Sequence, residues 1–197
     1  MDFAREGEAR RCDMVLMESA QKLKAGEPAP EFSLMGADGK TYKLFQFENA
    51  TAVVVIFMCN HCPYVLAKVE AMKKLYERYR PRNVAFIAIN SNNNPQYPDD
   101  DYEHMKKFVA EHGIKFPYLF DETQAVAKAY GATCTPDPFV FDSGMRLAYH
   151  GRIDDAMSPE AKPTTEDLAN ALDDILMGKI VKGAFKPSRG CSIKWRE

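Results

Sequence analysis

The period of the apolar positions changes several times along this chain, and each change marks a predicted element. Residues 51–58 form an unbroken run of β-branched and other apolar side chains, the pattern of a strand covered on both faces. In residues 63–80, Val65, Val69, Met72, Leu75 and Tyr76 recur at helical spacing. Pro63 suits the first helical position because it lacks an amide donor. A second buried strand is predicted over residues 84–89. Strand, helix and strand in this order predict a right-handed parallel crossover.

The rest of the chain reads by the same rules. Residues 12–23 place Val15, Leu16, Ser19, Ala20 and Leu23 on one face of an amphipathic helix. A stiff Gly-Glu-Pro-Ala-Pro connector over 26–30 leads to a hairpin, 31–34 with 41–44, turning at Asp38-Gly39. Residues 90–98 are loop by composition, and Asp99-Asp100-Asp101 can cap a helix running to about His112. A short strand over 116–120 precedes a short helix over 123–130 that stops at Gly131. A second hairpin joins 138–142 to 146–150 through Ser143-Gly144, and a last helix over 165–177 precedes an irregular tail. The Asn-rich stretch 90–94 follows a strand at the sheet edge where ligand-contacting loops gather, and reads as a polar groove or a plain turn-rich loop. Trp195, the single tryptophan, either covers that edge or anchors the tail.

A length of 197 residues suits a single domain over 1–197 with its core at about 26–177, and 46% hydrophobic residues suffice for one substantial core. A net charge of -2 with mixed signs gives no electrostatic case for nucleic acid or a membrane surface. The longest apolar run falls far short of the roughly 20 residues that span a bilayer. Residues 1–11 are charged, without the organisation of a secretory signal, so the expected location is the cytoplasm. Five cysteines, Cys12, Cys59, Cys62, Cys134 and Cys191, are too few and odd in number for a secreted disulfide scaffold.

The chemistry is expected at Cys59-Asn60-His61-Cys62. A cysteine at a strand-to-helix junction meets unpaired amides and the positive end of the helix dipole, which favour the thiolate. Only the thiolate attacks a disulfide, so Cys59 is the expected attacker, and two intervening residues let Cys62 close the ring as resolver. A protonated His61 between them would stabilise the thiolate further.

Beyond the CxxC, the segment Gly131-Ala132-Thr133-Cys134-Thr135-Pro136 followed by Phe139-Val140-Phe141-Asp142 resembles the cis-proline segment of thioredoxin-fold proteins. Pro28-Ala29-Pro30-Glu31-Phe32-Ser33-Leu34, Phe116-Pro117 with Asp121, Val126 to Gly131, and His150-Gly151-Arg152 are similar to redoxins of the peroxiredoxin-like branch. The tail ending Gly190-Cys191-Ser192-Ile193-Lys194-Trp195 resembles an uncharacterised subgroup of them. This resemblance implies a thioredoxin-like three-layer α/β/α sandwich with a mixed central sheet and an N-terminal helix and hairpin extension. It also implies a cis Thr135–Pro136 bond whose Thr135 main chain receives a substrate backbone as a strand edge would.

The departures are informative. Peroxiredoxins place a proline and then a Thr or Ser ahead of the peroxidatic cysteine, whereas Ala52 and Ile56 precede Cys59, and Val55 and Cys59 precede Cys62. Thioredoxins carry a Trp before the first cysteine and a buried Asp in the strand, where this chain has Met58 and Val53. The resemblance implies a dithiol oxidoreductase that exchanges electrons between a disulfide or dithiol substrate and an unidentified donor, with no cofactor. Thiol peroxidase activity is the first alternative. A metal-binding module using Cys59, His61 and Cys62 with Cys134 or Cys191 is the second. Cys134 and Cys191 are candidate accessory thiols, Cys12 reads as structural, and the oligomeric state stays open.

Overall fold

The computed structural model describes residues 15–196. Its frame is a seven-stranded mixed sheet. The run predicted at 51–58 forms β4 (Ala52–Phe57), flanked by β5 (Val84–Asn90) in parallel and β8 (Asp137–Asp142) antiparallel. Outward from β5 come β6 (Tyr118–Phe120), β2 (Ser33–Gly36) and β3 (Thr41–Lys43), and beyond β8 lies β9 (Leu147–His150). All six residues of β4 are buried, as a strand covered on both faces must be.

Because side chains alternate across a strand, β4 divides its residues between two cores. Ala52, Val54 and Ile56 face α2 (Val69–Tyr79), α3 (Tyr102–His112) and α5 (Asp167–Leu176). Val53, Val55 and Phe57 face α4 (Ala125–Tyr130), the β2–β3 side and the extended N-terminal segment. Phe57 packs edge-on against Tyr130 and Phe139 there, with centroids 5.3 and 5.8 Å away. The result is a thioredoxin-like α/β/α arrangement whose second layer combines the six-residue α4 with extended chain.

Two expectations are corrected. The helix predicted over 12–23 is absent from its described part. Leu16–Glu18 form β1, which pairs with β10 (Arg189–Ser192), itself in the tail expected to be irregular. Val15, Leu16 and Met17 are exposed, so the apolar stripe lacks the core against which a helix would pack. Cys12 lies outside the described residues. The helix predicted over 63–80 is broken after one turn into α1 (Pro63–Leu66) and α2. At the break, the Lys68 side chain makes an ion pair with buried Asp154.

Beside the main sheet, β1, β10 and β7 (Cys134–Thr135) form a small antiparallel sheet in that order. Cys191 is level with Thr135, and Ser192 with Cys134. Gly190 makes this pairing feasible: a Cβ there would lie 1.9 Å from the Thr135 carbonyl oxygen. Overpacking against main chain costs about 1–3 kcal/mol, so Gly190→Ala is expected to lower the Tm by several degrees, given about 2–4 °C per kcal/mol at this chain length. An unchanged thermal melt would contradict the close approach.

Candidate functional site

The β4–β8 register builds the site. Phe57 is level with Asp137, and continuing that antiparallel register by two residues brings Cys59 level with Thr135. The Thr135–Pro136 bond is cis. Cys59 Sγ lies 3.3 Å from Thr135 Oγ1, and Cys62 Sγ lies 3.4 Å from the Thr135 carbonyl oxygen. The two cysteines also hydrogen-bond to each other, and both are fully buried.

The distribution of charge differs from expectation. Since α1 begins at Pro63, its N-cap is Cys62 rather than Cys59. The thiols of Cys191 and Cys59 hold the Cys62 thiol well below the usual range against the opposing effect of burial, with the nearby backbones of Val65 and Cys191 adding to the lowering. The Thr135 carbonyl opposes the charge and is outnumbered. Burial pushes Cys59 the other way, well above the usual thiol value, with the hydrogen bond its thiol donates to Cys62 and the nearby Asp100 carboxylate adding to it. These surroundings favour negative charge on Cys62 over Cys59, whereas the strand-to-helix argument had favoured Cys59.

Asp100 is the site residue that sequence reasoning missed. Of the three consecutive aspartates, Asp101 caps α3 by accepting from the His104 amide at 2.8 Å, as expected of the run. Asp100 turns inward with no exposure. Its Oδ1 accepts from the Asn60 amide at 2.8 Å, and its Oδ2 accepts from Asn92 Nδ2 at 2.7 Å and lies 2.6 Å from His61 Nδ1 as an ion pair. One cap uses one carboxylate, so the surplus in Asp99-Asp100-Asp101 was the available signal. The Asp100 hydrogen bond raises the His61 pKa above its ordinary value. His61 stands opposite Asp100 and stacks on Tyr97 at 5.9 Å.

Cys134 and Cys191 part company. Cys134 Sγ faces the Ser188 carbonyl at 4.0 Å, and burial pushes its thiol far up. Cys191 Sγ stands 2.7 Å from Cys62 Sγ. The Asn-rich loop is no open groove: Asn90, Ser91 and Asn92 are buried, and Asn90 Nδ2 donates to the Asp100 carbonyl. The loop also holds the tail, through Lys194 N to Asn92 Oδ1 and Asn94 Nδ2 to the Trp195 carbonyl, both 2.9 Å. Trp195 packs against the core beside α4 and so anchors the tail.

The metal alternative was framed on Cys59, His61 and Cys62 with a fourth cysteine. The grouping found instead is Cys59, His61 and Asp100, with ligand atoms within 4.8 Å of one another. Asp100 already accepts two hydrogen bonds and pairs with His61, and Cys62 is engaged with Cys191. That donor set fits an ion pair beside a thiol better than the thiolate-rich tetrahedron of a structural zinc site.

A family model described as Redoxin matches residues 24–172, and the chain belongs to that family. Its structure is similar to that of an uncharacterized conserved protein from Geobacillus kaustophilus, with 44% identity, a TM-score of 0.88, and coverage of 94% of this chain and 98% of that one. It is 27% identical over 122 residues to the thiol-disulfide oxidoreductase ResA of Bacillus thuringiensis subsp. konkukian, a match covering 62% of this chain and 66% of that protein. It is 26% identical over 110 residues to the chloroplastic peroxiredoxin Q of Populus jackii, covering 56% and 48%. The chain thus spans about half to two thirds of the length of these curated relatives. No helix among the described residues is long and apolar enough to cross a membrane.

The His61–Asp100 pair makes a pH-dependent prediction. A raised imidazole pKa means that the pair stabilises the fold fully below the ordinary histidine range and loses that contribution as pH rises through the folded value. Asp100→Asn removes the charge, so the His61 pKa measured by NMR should fall by about one unit or more. The same change should lower the Cys59 pKa by relieving repulsion. A His61 titration unmoved by Asp100→Asn would contradict the assignment.

Proposed function

We propose that this protein is a thiol-disulfide oxidoreductase of the cytoplasm, whose Cys59 and Cys62 dithiol reduces protein or small-molecule disulfides. The observation that carries the reading is the placement of both thiols at one edge, Cys59 Sγ 3.3 Å from Thr135 Oγ1 and Cys62 Sγ 3.4 Å from the Thr135 carbonyl oxygen, beside the cis Thr135–Pro136 bond. The Cys62 thiolate attacks one sulfur of the substrate disulfide, forming a mixed disulfide and releasing the other half as a thiolate. The Cys59 sulfur then gives up its proton and attacks Cys62 Sγ, expelling the second substrate thiol and closing the Cys59–Cys62 bond. Two electrons pass to the substrate, and an external thiol donor returns them. The Asp100 carboxylate opposes loss of the Cys59 proton, and its ion pair with His61 offsets part of that opposition. Similarity to ResA supports this reading.

Similarity to peroxiredoxin Q supports peroxide reduction through a cysteine sulfenic acid as a second reading. The residues preceding Cys59 and Cys62 lack the proline and hydroxyl frame described above. Peroxide consumption no faster than that of free cysteine would eliminate it.

Reduction of insulin and of glutathione disulfide tests the leading reading. Cys62→Ser should abolish turnover. In a Cys59→Ser, Cys191→Ser double variant, where no thiol adjoins Cys62, a mixed disulfide should accumulate on Cys62. Trapping on Cys59 in Cys62→Ser instead would reverse the order of attack. Because the reduced form is stabilised at Cys62, equilibration with a glutathione buffer should give a reduction potential above the roughly -270 mV of thioredoxin, toward the roughly -180 mV of protein disulfide isomerase.

A further inference from the structure

The tail lies where the resemblance places a substrate backbone. β10 pairs antiparallel with β7, and its Cys191 is level with Thr135. Its sulfur is 2.7 Å from Cys62 Sγ, nearer than the roughly 3.5–4.0 Å optimum of unbonded carbons and longer than a disulfide of about 2.05 Å. The strand is held on both sides of Cys191. Ser188 N donates to Ser19 Oγ at 2.8 Å, Ser192 N to the Val15 carbonyl at 2.9 Å, and Ile193 N to the Thr133 carbonyl at 2.9 Å. Gly190 allows the approach, since any side chain there would strike the Thr135 carbonyl.

We propose that Cys191 is a third catalytic thiol, and that the resting oxidised form of this protein carries a Cys62–Cys191 disulfide. The inference rests on the exchange chemistry of Cys59 and Cys62 and extends it by one step. Once Cys59 and Cys62 have closed their bond, the Cys191 thiol loses its proton and its sulfur attacks Cys62 Sγ. The Cys62–Cys191 bond forms, the Cys59–Cys62 bond breaks, and the Cys59 sulfur leaves with the electron pair and takes up a proton. No electrons are gained or lost, so no further oxidant is needed. Burial and Asp100 favour the protonated product at Cys59. The disulfide then ties β10 across the substrate edge until a reductant opens it.

The test oxidises the full-length reduced protein with glutathione disulfide, quenches with acid, alkylates, and maps disulfides after trypsin. Cys59 and Cys62 share the peptide 44–68, whereas Cys191 lies in 190–194, so the two pairings differ as an internal loop and a cross-link. A cross-link of the two peptides as the major product is expected. Cys191→Ser and Cys191→Ala should both convert it to the internal Cys59–Cys62 disulfide. Cys59→Ser should still form the cross-link and reduce one equivalent of disulfide. An internal loop alone in the parent protein, with Cys191 fully alkylated, would overturn the role of Cys191 and leave the dithiol reading intact. Failure of Cys59 and Cys62 to enter any disulfide would overturn both.

Discussion

Three distant segments of this chain meet at Thr135, and the geometry of the site follows from that meeting. Its hydroxyl lies against Cys59, its carbonyl oxygen stands beside Cys62, and its backbone pairs with β10 at Cys191. The β4–β8 register fixes the first contact and the β7–β10 register the last. A slip of one residue in either would turn the alternate face inward and remove the sulfur from the cluster.

Within the cluster, the low dielectric makes the placement of one negative charge decisive. Cys62 adjoins two thiols and the backbones of Val65 and Cys191, whereas Cys59 is buried beside a carboxylate. Asp100 is in turn held by Asn60, Asn92 and His61, and Asn92 also grips the tail through the Lys194 amide. The electrostatics of the thiols and the docking of the C-terminal strand therefore share one hydrogen-bonded loop. Tyr118 joins the same network by donating to Asn60 Oδ1 at 2.9 Å.

Much of the architecture was legible because it depends on local pattern. The all-apolar run that became β4, the crossover to β5, the hairpin at Asp38-Gly39 and the α4 helix ending at Gly131 fell within a few residues of their predicted bounds. The N-terminal stripe misled because helical spacing describes an amphipathic face without saying whether anything covers it. Here Leu16–Glu18 found a strand partner in β10, more than 160 residues away. At the split between α1 and α2, Lys68 likewise pairs with Asp154, a partner distant in sequence.

By itself, the sequence determined the strand-helix-strand crossover that begins with β4 and the CxxC at its end, since these follow from hydrophobic period, and its resemblance to thioredoxin-fold proteins pointed to the proline segment beside them. Which sulfur carries the charge, which of the spare cysteines reaches the site, and which of three aspartates turns inward were decided only by tertiary structure. The reason is physical: an ionisation equilibrium in a buried site is set by every donor and charge within a few ångströms. Those neighbours, Cys191, Asp100 and Thr135, come from segments that only the folded sheet brings together.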